Sequence, residues 1–335
     1  MLLVGRDPSF AEHDPGPGHP DRPARLDAVA AGVAAAGIDA VVDLEITPAS
    51  DAQITSVHQP EMVQQLIAAS RAGGAAFDAD TRSSSGSWEA ARTAAGAGVS
   101  AVDALERGGA DAAFLAVRPP GHHARRETPM GFCLLNNVAI TAEELTRRGE
   151  RVAIVDVDAH HGNGTQEIFL ARPDVLYVSL HQWPFYPGTG AADEIGVGAG
   201  VWTTCNVPLP AGATGDVYLH ACERILFPVV ERFAPTWMLL SLGFDAHRDD
   251  PLTDLGLAAA DFALLVGRLV ALVPSGRRIA FLEGGYDLRA LRDSAAAAVP
   301  TLVGEVAASV AGSTTGGPGR RQVDEVATRW DQRQT

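Results

Sequence analysis

Cysteine is nearly absent from this chain of 335 residues: Cys133, Cys205 and Cys222 stand alone and far apart. That excludes a disulfide framework and a cysteine-based zinc site, and it suits a reducing cytoplasm. Basic character is missing too, with 26 Lys and Arg against 41 Asp and Glu and a formal net charge of -15. Such a balance leaves no basic stripe for a nucleic-acid backbone, whereas a cationic substrate would be attracted. No uncharged run approaches the ~18 residues of a membrane span. The opening MLLVGRDPSF lacks the basic and apolar regions of an export signal. The expectation is a cytoplasmic protein with neither a membrane nor a nucleic-acid partner. Internal repeats are absent as well.

What is present is a hydrophobic content of 46%, ample for a sizeable core. Short apolar runs at 2–4, 40–44, 112–117, 152–157, 175–180, 236–242 and 278–282 read as strands. Between them, 23–36, 60–71, 137–148 and a long stretch from Ser87, as N-cap, to the Gly108-Gly109 pair read as helices, and another is expected to begin near Thr165. Strand, long loop, helix, repeated, is the pattern of a single-domain α/β protein. It predicts a doubly wound, mainly parallel sheet flanked by helices. The catalytic unit is expected to occupy 1–311, with 312–335 as a polar, loosely held tail.

The chemistry gathers at the carboxyl ends of the strands, where ligands bind in open α/β sheets. In RVAIVDVDAHHGNGT, Asp158 and His160 are two apart and point to one side of an extended segment. They are half of a transition-metal site, or else a turn satisfied by hydrogen bonds. Asp245 ends the run MLLSLGFD and is able to join them, or to cap the next element. Three protein ligands with one position open is the arrangement of a catalytic zinc. His122 and His123 sit on a glycine-flanked loop. Adjacent histidines are commonly surface or metal-associated, but beside a metal-bound water they could take up and release protons near neutrality. Tyr286, freed by Gly284 and Gly285, is either a packed core tyrosine or a phenol aimed at an oxyanion. The GVGAG run at 196–200 follows no clear strand and reads as a loop, not a nucleotide site.

Taken in order, HPDRPARL, RPPGHHA with GFCLLNN, DVDAHHGNGTQ, VSLH with FYPGTG, SLGFDAH with DPL, and EGGYDL form a recognisable series. The chain resembles the histone deacetylase and acetylpolyamine amidohydrolase family, in particular its class II and bacterial members. The resemblance runs from His19 to about Leu288. It implies an arginase/deacetylase-like fold and a zinc-dependent deacetylase that removes acetyl or similar acyl groups by direct hydrolysis, without a covalent intermediate. The substrate would be an acetylated lysine or an acetylated small-molecule amine, and a homo-oligomer is possible.

Residue by residue, the resemblance implies one Zn2+ per chain on Asp158, His160 and Asp245. His123 matches the general base and acid, His122 its electrostatic neighbour, Tyr286 the phenol that polarises the acetyl carbonyl. Asp156 matches the carboxylate behind the first histidine, and Asn163 stands where class I members carry an aspartate behind the second. A structural K+ is implied at Asp156, Asp158, His160, Ser179 and Leu180. Gly131, Phe132, Tyr186, Leu252 and Gly284 match a substrate tunnel, and Arg25 an arginine lining the acetate exit. Leu252 stands where polyamine-selective relatives carry a glutamate, while Asp78 and Asp80 lie on a loop able to reach the rim. A two-metal ureohydrolase of arginase type would need a carboxylate at position 162, which is Gly162, and another where His247 stands.

Overall fold

In the computed structural model, which describes residues 1–304 and 312–332, eight strands form one sheet. They are β1 Leu2–Gly5, β2 Val41–Asp43, β3 Ala112–Leu115, β4 Val152–Asp156, β5 Val175–Gln182, β6 Thr204–Leu209, β7 Trp237–Leu242 and β8 Arg278–Leu282. Their spatial order is β2-β1-β3-β8-β7-β4-β5-β6, and every pairing is parallel. The sheet is therefore wholly parallel, as the alternation of strand and helix predicts.

Period-two alternation divides each strand between two cores. Ala153 and Val155 face one cluster with Phe114, Met238 and Leu240, while Val152 and Ile154 face the other with Leu115, Trp237 and Leu239. Both faces must be apolar because helices cover both, and each fully buried Val, Leu or Ile contributes ~1.5–3 kcal/mol over exposure. The helices Ala24–Ala35 and Ala259–Val270 pack into the first core, Ser87–Glu106 and Asn137–Arg147 into the second.

Several boundaries differ from expectation for local reasons. Ser87 is the first residue of its helix, not the cap; its Oγ accepts the Ser84 N–H and bonds His13 Nδ1 instead. The helix after β4 starts at Asn163, two residues before the expected Thr165. Strand β6 escapes the sequence pattern because Pro208 lies inside it, tolerable only at an edge where one side needs no donor.

The tail expected to be loosely held is not. Arg320–Gln332 is a helix that buries Val323, Val326, Ala327 and Trp330 against β6 and the helix Gly215–Ala221. Those residues recur at helical spacing and form one apolar stripe, which shields the sheet edge. The opposite edge, β2, is three residues long and exposed. Among the described residues no helix is long and apolar enough to cross a membrane.

Because all strands run the same way, the loops after β3, β8, β7, β4 and β5 emerge at one end of the sheet from five adjacent positions. His122, His123, Asp156, Asp158, His160, Asp245, Tyr186 and Tyr286 all lie on or beside one of these loops, whereas Asp78 and Asp80 come from the loop after the helix Pro60–Arg71 and Arg25 from the helix Ala24–Ala35.

Candidate active site

Asp156 closes β4, and the chain beyond it turns back on its own carboxylates. Asp158 N–H donates to Asp156 Oδ1 at 3.2 Å, and His160 N–H to Asp158 Oδ1 at 2.9 Å. Asp245, delivered by the loop after β7, accepts the Ala159 N–H at 2.8 Å. The His160 Nδ1 then lies 3.0 Å from Asp245 Oδ2 and 3.2 Å from Asp158 Oδ1. One ligand atom from each of Asp158, His160 and Asp245 falls within 4.8 Å of the others, and both aspartates are buried.

This crowding of donors needs room, and glycine provides it. A Cβ on Gly284 would approach Asp245 Oδ2 at 2.2 Å and Asp158 Oδ2 at 2.7 Å. Its N–H donates to Asp158 Oδ2 at 2.8 Å. Gly284 thus belongs to the floor beneath the carboxylates, not to the pocket wall where the resemblance put it. Two oxygens and an imidazole nitrogen converging in a buried cradle suit a divalent metal such as zinc. Burial and then the Asp158 charge lift Asp245 to about 7. Burial opposes protonation of His160, yet its bonds to Asp158 and Asp245 raise it to about 10.

The histidine pair sits next to this cluster. His122 Nδ1–H donates to Asp156 Oδ2 at 3.0 Å, and its Nε2 is 3.8 Å from Asp158 Oδ1. Burial works against charge on His122, but Asp156, Asp158 and Glu283 outweigh it and hold its pKa well above the ordinary value. His123 is pulled the other way, by burial first and then by His122 and His160. Its Nδ1–H donates to Asn163 Oδ1 at 2.8 Å, and the Asn163 amide is oriented by a contact to Met130 Sδ at 3.2 Å. With Nδ1 occupied, Nε2 is the free acceptor of a neutral ring. Two neighbouring imidazoles with opposed shifts divide naturally into a fixed cation and a base.

A pocket of about 240 Å³ opens over these groups, lined by His123, His160, Tyr286, Phe132, Gly131, Phe185, Tyr186, Leu252 and Asp80. Its walls are aromatic. Phe132 meets Tyr286 edge-on at 5.7 Å, Phe185 stacks on His160 at 5.5 Å, and Tyr186 meets His123 edge-on at 5.3 Å. Phe132 holds a left-handed φ of 67°, costly for a bulky residue and found where a site dictates the backbone. Burial, helped by Asp245 and against the pull of Arg25, keeps the Tyr286 phenol protonated and able to donate. A larger apolar groove of about 460 Å³ beside Phe227 and Leu264 shares none of these residues and lacks their chemistry.

Arg25 does not line the pocket. It is fully buried behind Tyr286, with its guanidinium 5.0 Å from the ring centre. It donates to Gly285 O at 2.7 Å and to Glu283 O, and is anchored by Asp21 at 2.8 Å. Asp21 also binds Arg118, at 2.9 Å, so one carboxylate joins the first loop to the ends of β3 and β8. Ser179 is the cross-strand partner of Asp156, and its Oγ bonds His181 Nδ1 at 2.9 Å. Leu180 follows it, buried in β5. Sequence reasoning passed over Phe185, although it stands in the aromatic FYPGTG segment, and Glu283, masked as the first letter of EGGYDL.

The eight-stranded parallel sheet flanked by helices has the architecture of the arginase/deacetylase fold. A histone deacetylase domain model matches residues 19–302. A probable deacetylase of Archaeoglobus fulgidus is 41% identical over 286 residues, covering 83% of this chain and 79% of that protein. A histone deacetylase-like amidohydrolase of Pseudomonas aeruginosa is 40% identical over 246 residues, 72% of this chain and 65% of the relative. The crystal structure of the HDA15 HD domain superposes with a TM-score of 0.90 at 37% identity, covering 98% of this chain and 93% of that one. The chain belongs to the histone deacetylase family of hydrolases.

Proposed function

We propose that the protein is a zinc-dependent amidohydrolase that removes an acetyl or similar acyl group from a lysine side chain or a small amine, in the cytoplasm. Asp158, His160 and Asp245 would hold the zinc, which when bound polarises the amide carbonyl and lowers the pKa of water. His123, neutral and with Nε2 free, takes the proton of the attacking water and returns it to the departing amine. His122, kept cationic by Asp156, steadies the developing negative charge. Tyr286 donates its phenolic proton in a hydrogen bond to the oxyanion. Phe132, Phe185 and Tyr186 enclose the aliphatic stem and exclude water. A structural K+ would be held separately, by the Asp156 carboxylate, the Ser179 hydroxyl and the backbone oxygens of Asp158, His160 and Leu180.

One observation carries the reading: the imidazole of His123 and the phenol of Tyr286 line one pocket with His160 of the buried Asp158-His160-Asp245 cluster. The arginase-type alternative finds no support, since a Cβ on Gly162 would lie 2.2 Å from Asp156 Oδ2 and leaves no space for a second-metal carboxylate. The test is a panel of acyl-lysine peptides, acetylputrescine and other N-acetyl amines, assayed with zinc and potassium present. Measurable kcat/KM on at least one class, lost on chelation and restored by zinc, is the expected result. Inertness of the zinc-loaded protein across the panel would overturn it.

A further inference from the structure

The RPPGHH loop that carries both histidines has no regular structure of its own, so something else must hold its backbone. The N–H groups of Gly121 and His122 both point at one side chain. Glu283, the residue after β8, accepts them on Oε2 at 2.7 Å and 3.2 Å. Its other oxygen, Oε1, accepts the hydroxyl of Ser241 in β7 at 3.2 Å. The carboxylate is fully buried and lies outside the pocket lining. Because β3, β8 and β7 are neighbours in the sheet, this single side chain ties together the ends of three strands.

Consecutive backbone N–H groups converging on an oxygen form an anion-holding arrangement, and here the acceptor is a side chain of the protein itself; burial pushes its carboxyl up to about 7, against the opposing pull of His122 and the Gly121 N–H. Ligand atoms of Glu283, His122 and Cys133 lie within 4.8 Å, which invites a second metal site. The bonding argues otherwise. Both Glu283 oxygens are already accepting, His122 Nδ1 is engaged by Asp156, and burial pushes the Cys133 thiol well above its usual range.

We propose that Glu283 is a positioning residue, whose carboxylate fixes the Gly121–His122 peptide and thereby the height and tilt of both imidazoles over the ligand cluster. It touches no reacting atom and acts through the histidines. The expected effect on turnover rests on the hydrolase reading; the effect on geometry does not.

The test uses Glu283→Gln, which keeps the volume but offers only one acceptor oxygen, and Glu283→Ala, which offers none, in the full-length zinc-loaded protein. Misplacement of a catalytic group by ~1 Å costs on the order of 10²-fold. We expect kcat to fall about 10-fold in Gln and ~10²-fold in Ala, with KM within twofold and zinc at one equivalent. Crystal structures of the variants should show the His122 and His123 rings displaced. A purely structural role would lower the melting temperature and the active fraction while leaving kcat per zinc-loaded molecule unchanged, and that outcome overturns the proposal. Should the parent protein be inert on every acyl-amine, the hydrolase reading falls by itself. The crystal structures then decide for Glu283: displaced imidazoles sustain it, unmoved ones in both variants refute it.

Discussion

At the scale of single residues, the division of labour between the two histidines follows from what each ring nitrogen faces. His122 gives its Nδ1–H to a carboxylate, while His123 gives its own to the neutral Asn163 amide. An amide stabilises an imidazolium far less than a carboxylate does. Burial first, then His122 and His160, hold the His123 pKa well below the ordinary histidine value, and Asn163 offsets this only weakly; in the proposed mechanism the base must be unprotonated to work. The acidic limb of kcat/KM is expected to lie below pH 6.5, the ordinary histidine value. Asn163→Asp should raise the His123 pKa, so the limb moves to higher pH by about one unit. A pH–rate profile of both proteins, with zinc content matched, checks the sign. Tyr286→Phe would remove the proposed oxyanion donor, and the expected loss is ~10²–10³ in kcat with zinc content unchanged. Full activity in that variant would take Tyr286 out of the mechanism.

Elements matter here chiefly as platforms. Five adjacent strands deliver most of the site, the loop before the helix Ser87–Glu106 adds Asp80 to its lining, and other elements serve only to close the core. The clearest case is the helix Arg320–Gln332, which seats Trp330 and Val326 against the β6 side of the sheet. Truncating a buried tryptophan costs ~3–5 kcal/mol through lost burial and the cavity left behind. Trp330→Ala should accordingly lower the melting temperature by several degrees in calorimetry. Its kcat/KM, measured well below that temperature, is expected to stay within twofold. A matching drop in activity per folded molecule would show that the helix reaches the site.

For the molecule as a whole, the excess of acid is the dominant long-range property. A net charge of -15 and Asp80 at the pocket mouth favour a cationic ligand on approach. Salt screens such attraction over about 10 Å at 0.1 M. KM for an acylated amine that retains a second positive charge should rise several-fold between low and high salt. A neutral acyl-amide of the same length should show little change. Parallel initial-rate measurements at several ionic strengths separate the two.

Seven of the eight strands, four of the longer helices between them and the parallel character of the sheet were readable in one dimension, because each depends on neighbours a few places away. Apolar runs are local, and so are the D-x-H spacing and the glycines of EGGYDL. The contribution of β6 and of the last helix was harder to read: a proline and a glycine-rich, polar lead-in hide an edge strand and an amphipathic stripe. What no local pattern could supply is which loops share a side of the sheet. Asp245 meets His160 across a separation of 85 residues, and Glu283 reaches Gly121 across 162. Those meetings follow from strand order, and strand order is settled by how two apolar cores close around one sheet, a property of the whole chain.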